Sequence, residues 1–370
     1  MMKTKERKKL LAAGFTLIEL MISFALALII LASTVQLFKS GVEASTMISQ
    51  RAELQQNSRA AINLISKDIS MAGAGLPSGG IQLPSGGAAT TARYACDQLG
   101  NCYIPNHLYP GGNYMYGIIP GPNNGVQNSV VIPATGGGAD SVTVAYLDYG
   151  FPLNQYVCVV TSASTISLAV PVPAPVPALP AINAPGVGLQ VGDLVMVVGG
   201  NIATVVGEVT NVTATTVTFA NADPLNINNT AGDPVIGDLG YVFNRAVVPP
   251  AGQSNCSATR LEAVTYFLQV PANGQSPRLM RQVNGLTPVP VADDIIGMTV
   301  SYDLFNDTTG ANNVEQRDPL SLAGVTPNQI RKINIAVQAQ SLSQDGAKMQ
   351  SMQLATSVSA RNMSFKNRYQ

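Results

Sequence analysis

The side chains able to do chemistry are few. Tryptophan is absent and His107 is the single histidine, which removes the commonest general base and metal ligand from most conceivable sites. Four cysteines, Cys96, Cys102, Cys158 and Cys256, allow three disulfide pairings. Cys96 with Cys102 and Cys158 with Cys256 is the expected one: the first closes a short loop and the second ties the centre of the chain to its last third. C-x5-C is not a recurrent zinc spacing. No Lys or Arg occurs between Arg93 and Arg245, whereas Asp97, Asp140, Asp148, Asp193, Glu208, Asp223, Asp233 and Asp238 do. This reads as a solvated acidic face rather than a calcium site, because the EF-hand spacing is absent. Asp293-Asp294 reads as a turn pair, His107 as a loop residue, and no P-loop, nucleophile elbow or H-E-x-x-H is found. The expectation is a protein without catalytic activity, cofactor or metal.

One charge stands apart. Glu19 is the only ionisable residue in the 24 positions from Phe15 to Phe38, a stretch that as a helix reaches about 36 Å against a hydrocarbon core of roughly 30 Å. An ionised carboxylate at that depth costs several kcal/mol unless something pairs with it. Lys3, Lys5, Arg7, Lys8 and Lys9 precede the stretch and predict a cytoplasmic start, with the remainder on the other side of the membrane, where disulfides form. Lys plus Arg and Asp plus Glu are equal at 21 each, but without the first 14 residues the balance is −4. Nothing in it points to nucleic acid.

An ordinary secretory signal carries its small residues after the apolar run; here Ala12, Ala13 and Gly14 precede it. The basic leader followed by GFTLIELMIS (Gly14 to Ser23) resembles the class III leader of type IV prepilins and pseudopilins. That resemblance implies cleavage after Gly14 by a prepilin peptidase, N-methylation of Phe15, and pairing of Glu19, fifth in the mature chain, with the terminal amine of a neighbouring subunit during assembly.

These residues need a scaffold. Beyond Phe38, Leu54, Ala61, Ile62, Ile65 and Ile69 fall at helical spacing, with Gln55, Gln56, Asn57, Arg59, Lys67 and Asp68 between them, so one face should pack on a sheet. Gly73, Gly75 and Pro77 stop the helix. One long helix is expected from about Phe15 to Met71, membrane-spanning over 15–38 and bent or melted near Ser40-Gly41. Residues 76 to 138, rich in Gly, Pro, Asn and Tyr, read as a long surface loop. Strands are expected at Ser141 to Asp148, Tyr156 to Thr161, Asp193 to Val198, Ala203 to Val209 and Thr215 to Phe219, then at Glu262 to Val270, Arg278 to Gln282, Ile296 to Leu304, Ile330 to Gln340 and Met352 to Ala360. Val170 to Pro185 reads as a stiff proline-rich connector.

The segments RAAINLISKDISMAGAG, AVTYFLQ, RLMRQV, VADDIIGMTVSYDLF, IRKINIAVQAQS and LATSVSARN resemble the PilW-like minor pilins. The fold class expected is α+β and pilin-like, a long N-terminal helix packed on an antiparallel sheet with an enlarged loop-rich β domain. Its expected divisions are a leader (1–14), helix (15–72), loop-rich β region (73–187), small β lobe (188–245) and C-terminal sheet (246–370). The resemblance implies a minor pilin that primes or caps a type IV pilus, held in the bacterial inner membrane before surface assembly. Its implied partners are other minor pilins, the major pilin, the prepilin peptidase, the assembly platform and a tip adhesin. Two other readings stand beside it: a J-like minor pseudopilin of type II secretion, and an adhesive module using Tyr103, Tyr109, Tyr114 and Tyr116.

Overall fold

The computed structural model describes residues 15–77, 79–84, 92–105, 107–109, 114–128, 139–199, 203–228, 237–244, 254–271, 276–304, 315–317, 327–341 and 349–363. The leader with Gly14, and Asp233, lie outside the described residues. Two compact units divide the chain, Met1–Ala52 with Ser343–Gln350, and Glu53–Leu342 with Ser351–Gln370. The fold is α+β, with one long helix and large antiparallel sheets.

Helix α1 spans Leu17–Met71 without a break. Ser40 and Gly41, the expected point of melting or bending, are helical like their neighbours. Its start is one long apolar surface, with Leu17, Ile18, Leu20, Met21, Phe24, Ile29, Ile30, Leu31, Leu37 and Phe38 exposed. Ser23, Ser33 and Thr34 return their hydroxyls to the carbonyls of Leu20, Ile29 and Ile30, so no hydroxyl there needs water. This part of α1 is long and apolar enough to cross a membrane.

In the second unit the apolar stripe of α1 does what its spacing predicts. Leu54, Ala61, Ile62, Ile65 and Ile69 are buried in one core with residues of β5 (Ser141–Asp148), β12 (Ser254–Val270), β15 (Ile295–Leu304) and β17 (Ile330–Gln340). The helix therefore joins two sheets. The smaller has the order β16 (Glu315–Arg317), β15, β17, β18 (Ser351–Ser359).

The larger is organised by β12. Over 17 residues this strand pairs antiparallel with β5, β6 (Val157–Ser162), β8 (Leu194–Gly199) and β13 (Arg278–Val283), and parallel with β4 (Val126–Asn128). It begins eight residues before the expected Glu262, because its first half is recruited by strands far away in sequence. Val264, Tyr266 and Leu268 enter the helix-side core, and Leu261, Ala263 and Phe267 enter a second core on the opposite face. Strand β8 forms a hairpin with β9 (Ala203–Glu208) and pairs with β12, while β11 (Thr216–Thr218) pairs with β7 (Thr165–Ala169). The centre of the chain is thus stitched into the large sheet. Cys158 and Cys256 face each other across β6 and β12 and are bonded, and Cys96 is bonded to Cys102.

The expected surface loop over 76–138 is corrected. Its described parts contribute Ile81, Leu83, Tyr94, Tyr103, Ile104, Tyr109, Met115 and Ile119 to the second core, and β3 (Ile118–Gly121) pairs with β5. Composition signalled turns correctly, but the aromatic and aliphatic residues between the turns are buried by the far face of β12.

A polar cluster fixes α1 to the large sheet. Asp68, expected among the solvated residues of the helix, is 3% exposed. Its Oδ2 accepts from the Tyr266 hydroxyl at 2.5 Å and from Arg281 Nε at 2.9 Å. Burial and this carboxylate push the Tyr266 hydroxyl pKa upward. Asp68→Ala leaves a half-buried guanidinium unpaired and should cost roughly 3 kcal/mol of unfolding free energy, as broken buried pairs do. Asp68→Asn should recover part of it. Denaturant titration checks both, and a loss below about 0.5 kcal/mol for the alanine variant contradicts the clamp.

Candidate functional site

The start of α1 combines the residues singled out for assembly. Thr16 is its N-cap and Glu19 its third residue. Glu19 Oε2 accepts from Thr16 N at 3.0 Å and from Thr16 Oγ1 at 2.9 Å, and Glu19 N donates to Thr16 Oγ1 at 3.3 Å. This reciprocal arrangement is a capping box, which satisfies two donors that a helix start leaves open. T-x-x-E was visible in the sequence and would have predicted it. Glu19 Oε1 has no partner among the described residues, so one carboxylate oxygen holds the helix start and the other faces outward. Phe15, immediately before the cap, is 88% exposed.

The acidic middle of the chain is corrected from solvated face to interior. Asp97, Asp140, Asp193, Glu208, Asp223 and Asp238 are all buried. Backbone N–H groups of adjoining loops are prominent among the donors that offset their burial. Asp97 accepts from Leu99 N, Asn101 N and the Tyr103 hydroxyl inside the Cys96–Cys102 loop; burial works against its charge, but these bonds hold its pKa below the usual value. Asp140 joins Asn123 N to Val300 N at 2.9 and 2.8 Å, linking a turn after β3 to β15. Asp193 accepts from Gln190 N. Asp238 caps α2 (Leu239–Asn244) through Tyr241 N at 2.7 Å, and burial pushes its pKa up to about 6. Asp148 pairs with a cation, Arg260, whose Nε lies at 2.7 Å.

Glu208 and Asp223 form the most unusual pair. Both are buried, at 0% and 3% exposure, and they hydrogen-bond each other. Gln98 Nε2 and Leu225 N donate to Glu208, while Ile227 N and Asn228 N donate to Asp223. Two carboxylates in contact inside a core share a proton. Burial, then the adjoining Asp223, raises the Glu208 pKa well above the ordinary carboxylate range, and burial raises that of Asp223. The pair closes the loop after β11 onto β9. Among the described residues no group of three or more His, Cys, Asp or Glu side chains is placed to hold a metal.

The tyrosines offered for surface contact are mostly internal. Tyr103 stacks on Phe267 with centroids 5.8 Å apart, and Tyr94 meets Tyr109 at 5.2 Å. Tyr116 is buried, and Tyr114 alone of the four reaches solvent. His107 lies with Nδ1 3.2 Å from the Ile104 carbonyl in a partly buried loop. Asp293 and Asp294 form the turn between β14 (Val289–Ala292) and β15, and Asp294 adopts φ of 62°.

The chain matches no family model, no curated protein and no solved structure. The buried pair makes a prediction that is independent of function. A carboxyl whose pKa is raised by folding stabilises the fold below its unfolded pKa, and that contribution is lost as pH climbs toward the folded value. The urea midpoint should therefore fall between pH 5 and pH 9. Glu208→Gln should flatten the fall and gain roughly 1 kcal/mol at the alkaline end. A wild-type midpoint that rises across this window contradicts the shared proton.

Proposed function

We propose that the chain is a minor pilin of the PilW-like kind, extracted from the inner membrane into a type IV pilus, where it primes or caps assembly near the tip. The observation that carries the reading is the head of α1. An apolar surface of membrane-spanning length begins at a capped Thr16 and carries one carboxylate, and the same helix continues into the core between two sheets.

On this reading the apolar surface exchanges lipid for the helices of neighbouring subunits, an association that rests on van der Waals packing and on polar pairs rather than on the hydrophobic effect. Glu19 then has two tasks. Oε2 keeps the first turn wound at bilayer depth, and Oε1 receives the methylated amine of an adjacent subunit, which offsets the cost of its burial and sets the axial register. Processing after Gly14 by a prepilin peptidase, docking on an inner-membrane platform, and contacts with other minor pilins, the major pilin and a tip adhesin complete the proposal. Neither catalysis nor a cofactor is part of it.

The enlarged β unit equally suits a J-like minor pseudopilin of type II secretion, so the test reads both machines. Glu19→Ala in the native host should leave the protein in the membrane but lower surface piliation at least about tenfold, in line with loss of a charge-assisted pair worth more than 1.4 kcal/mol. Glu19→Asp should restore part of it. Intact piliation with lost exoprotein secretion moves the protein to the secretion machine, and no effect on either contradicts the assembly role.

A further inference from the structure

The large and small sheets end in several edge strands, and most carry a device that discourages pairing with another chain. β14 and β3 contain Pro290 and Pro120. β16 has three residues, two of them charged (Glu315 and Arg317), and β10 (Asn211–Val212) has only two residues. β18 has none of these. Its nine residues, SMQLATSVS, include no charge, proline or glycine. It pairs with β17 in nine consecutive register positions, from Lys332↔Ser359 to Gln340↔Ser351, without a bulge. Among the described residues β17 is its sole strand partner.

The register identifies which backbone groups are unpaired. Ala360 N donates to Arg331 O, and Gln340 N donates to Asp294 O on the β15 side. Odd-numbered positions of β17 therefore point their N–H and C=O groups at β18, and their partners Met352, Leu354, Thr356 and Val358 point back. Ser351, Gln353, Ala355, Ser357 and Ser359 are left with N–H and C=O directed away from the sheet. Their side chains are exposed and mostly small, so among the described residues nothing shields the edge. The helix-side row is also incomplete: Ile333, Ile335 and Val337 of β17 are fully buried, but Leu354 and Val358 beside them are only partly covered.

We propose that β18 is a strand-addition site, at which an extended segment of a different protein subunit continues the sheet. This rests on the reading of the chain as one subunit of an assembly. The segment it fits is about nine residues long, uncharged and free of proline. Its apolar residues alternate so as to complete the row of Leu354 and Val358, and small polar residues lie between them. A second copy is disfavoured by direction. Antiparallel pairing of two β18 strands about a two-fold axis would run their Glu53–Met71 helix segments in opposite senses, whereas chains anchored in one membrane enter the sheet in the same sense.

Residue-resolved amide exchange on the full-length chain tests this, in detergent alone and in the complex extracted from its native envelope. Alone, the amides of Gln353, Ala355 and Ser357 should exchange roughly 100-fold faster than those of Leu354, Thr356 and Val358; in the complex the contrast should disappear. Ala355→Pro removes one outward N–H and no bond to β17. The variant should fold like the wild type alone, yet be recovered in the complex roughly tenfold less, whereas Thr356→Pro should destabilise the chain itself. A contrast that persists in the complex, or equal recovery of Ala355→Pro, overturns the proposal. So does loss of the contrast in the chain alone at the mass of two copies. The same measurements apply to whatever complex the chain enters, so a failed pilus reading is recognised separately by its unaffected piliation.

Discussion

One helix carries two kinds of surface, and the arrangement of the β-rich unit follows from the second. The first part of α1 is apolar on all sides, so nothing in its own surface selects an orientation. The second part is amphipathic, and its narrow stripe of Leu54, Ala61, Ile62, Ile65 and Ile69 is claimed by strands from both sheets. Apolar packing alone tolerates sliding and rotation of a helix. The charge-assisted bonds from Tyr266 and Arg281 to Asp68 do not, because a shift of one residue would carry a buried carboxylate away from both of its donors. Register between helix and sheet is therefore set by one carboxylate.

The same economy runs through the middle of the chain. With only 11% charged residues and no cation between Arg93 and Arg245, its long connections are held by carboxylates that accept from loop backbone. Each such acid organises a turn that has no regular structure of its own. The Glu208–Asp223 pair extends this to two acids in contact, where a shared proton takes the place of a cation.

Legibility in the sequence divided along physical lines. Features written in contiguous residues were plain: the apolar run after Gly14, the isolated Glu19, the helix stop at Gly73, and the strands whose residues alternate. Features that depend on distant partners were not. Asp68 lies three residues after Ile65, on the buried face by spacing, but a carboxylate suggests solvent until Tyr266 and Arg281 are known to meet it. The buried acids misled for the same reason, since backbone N–H donors leave no mark in a sequence. The Gly- and Tyr-rich segment read as surface because its turns are local, while Phe267, on which Tyr103 stacks, lies on a strand far along the chain. At the head of the helix the opposite error occurred. The attention drawn to Glu19 as an assembly residue obscured the short-range capping box that the T-x-x-E spacing spells out.

The central proposal is that the mature chain begins at Phe15, two residues before α1, so that Glu19 is its fifth residue. The mass of the amino-terminal peptide, from protein recovered from its native envelope, tests this most directly. The account predicts a peptide beginning at Phe15 and carrying one added methyl group. A peptide that retains Met1, or one that begins beyond Phe38, would contradict it, leaving in the first case a membrane-anchored β protein in which Glu19 only caps a helix and in the second a secreted β protein that lacks Glu19.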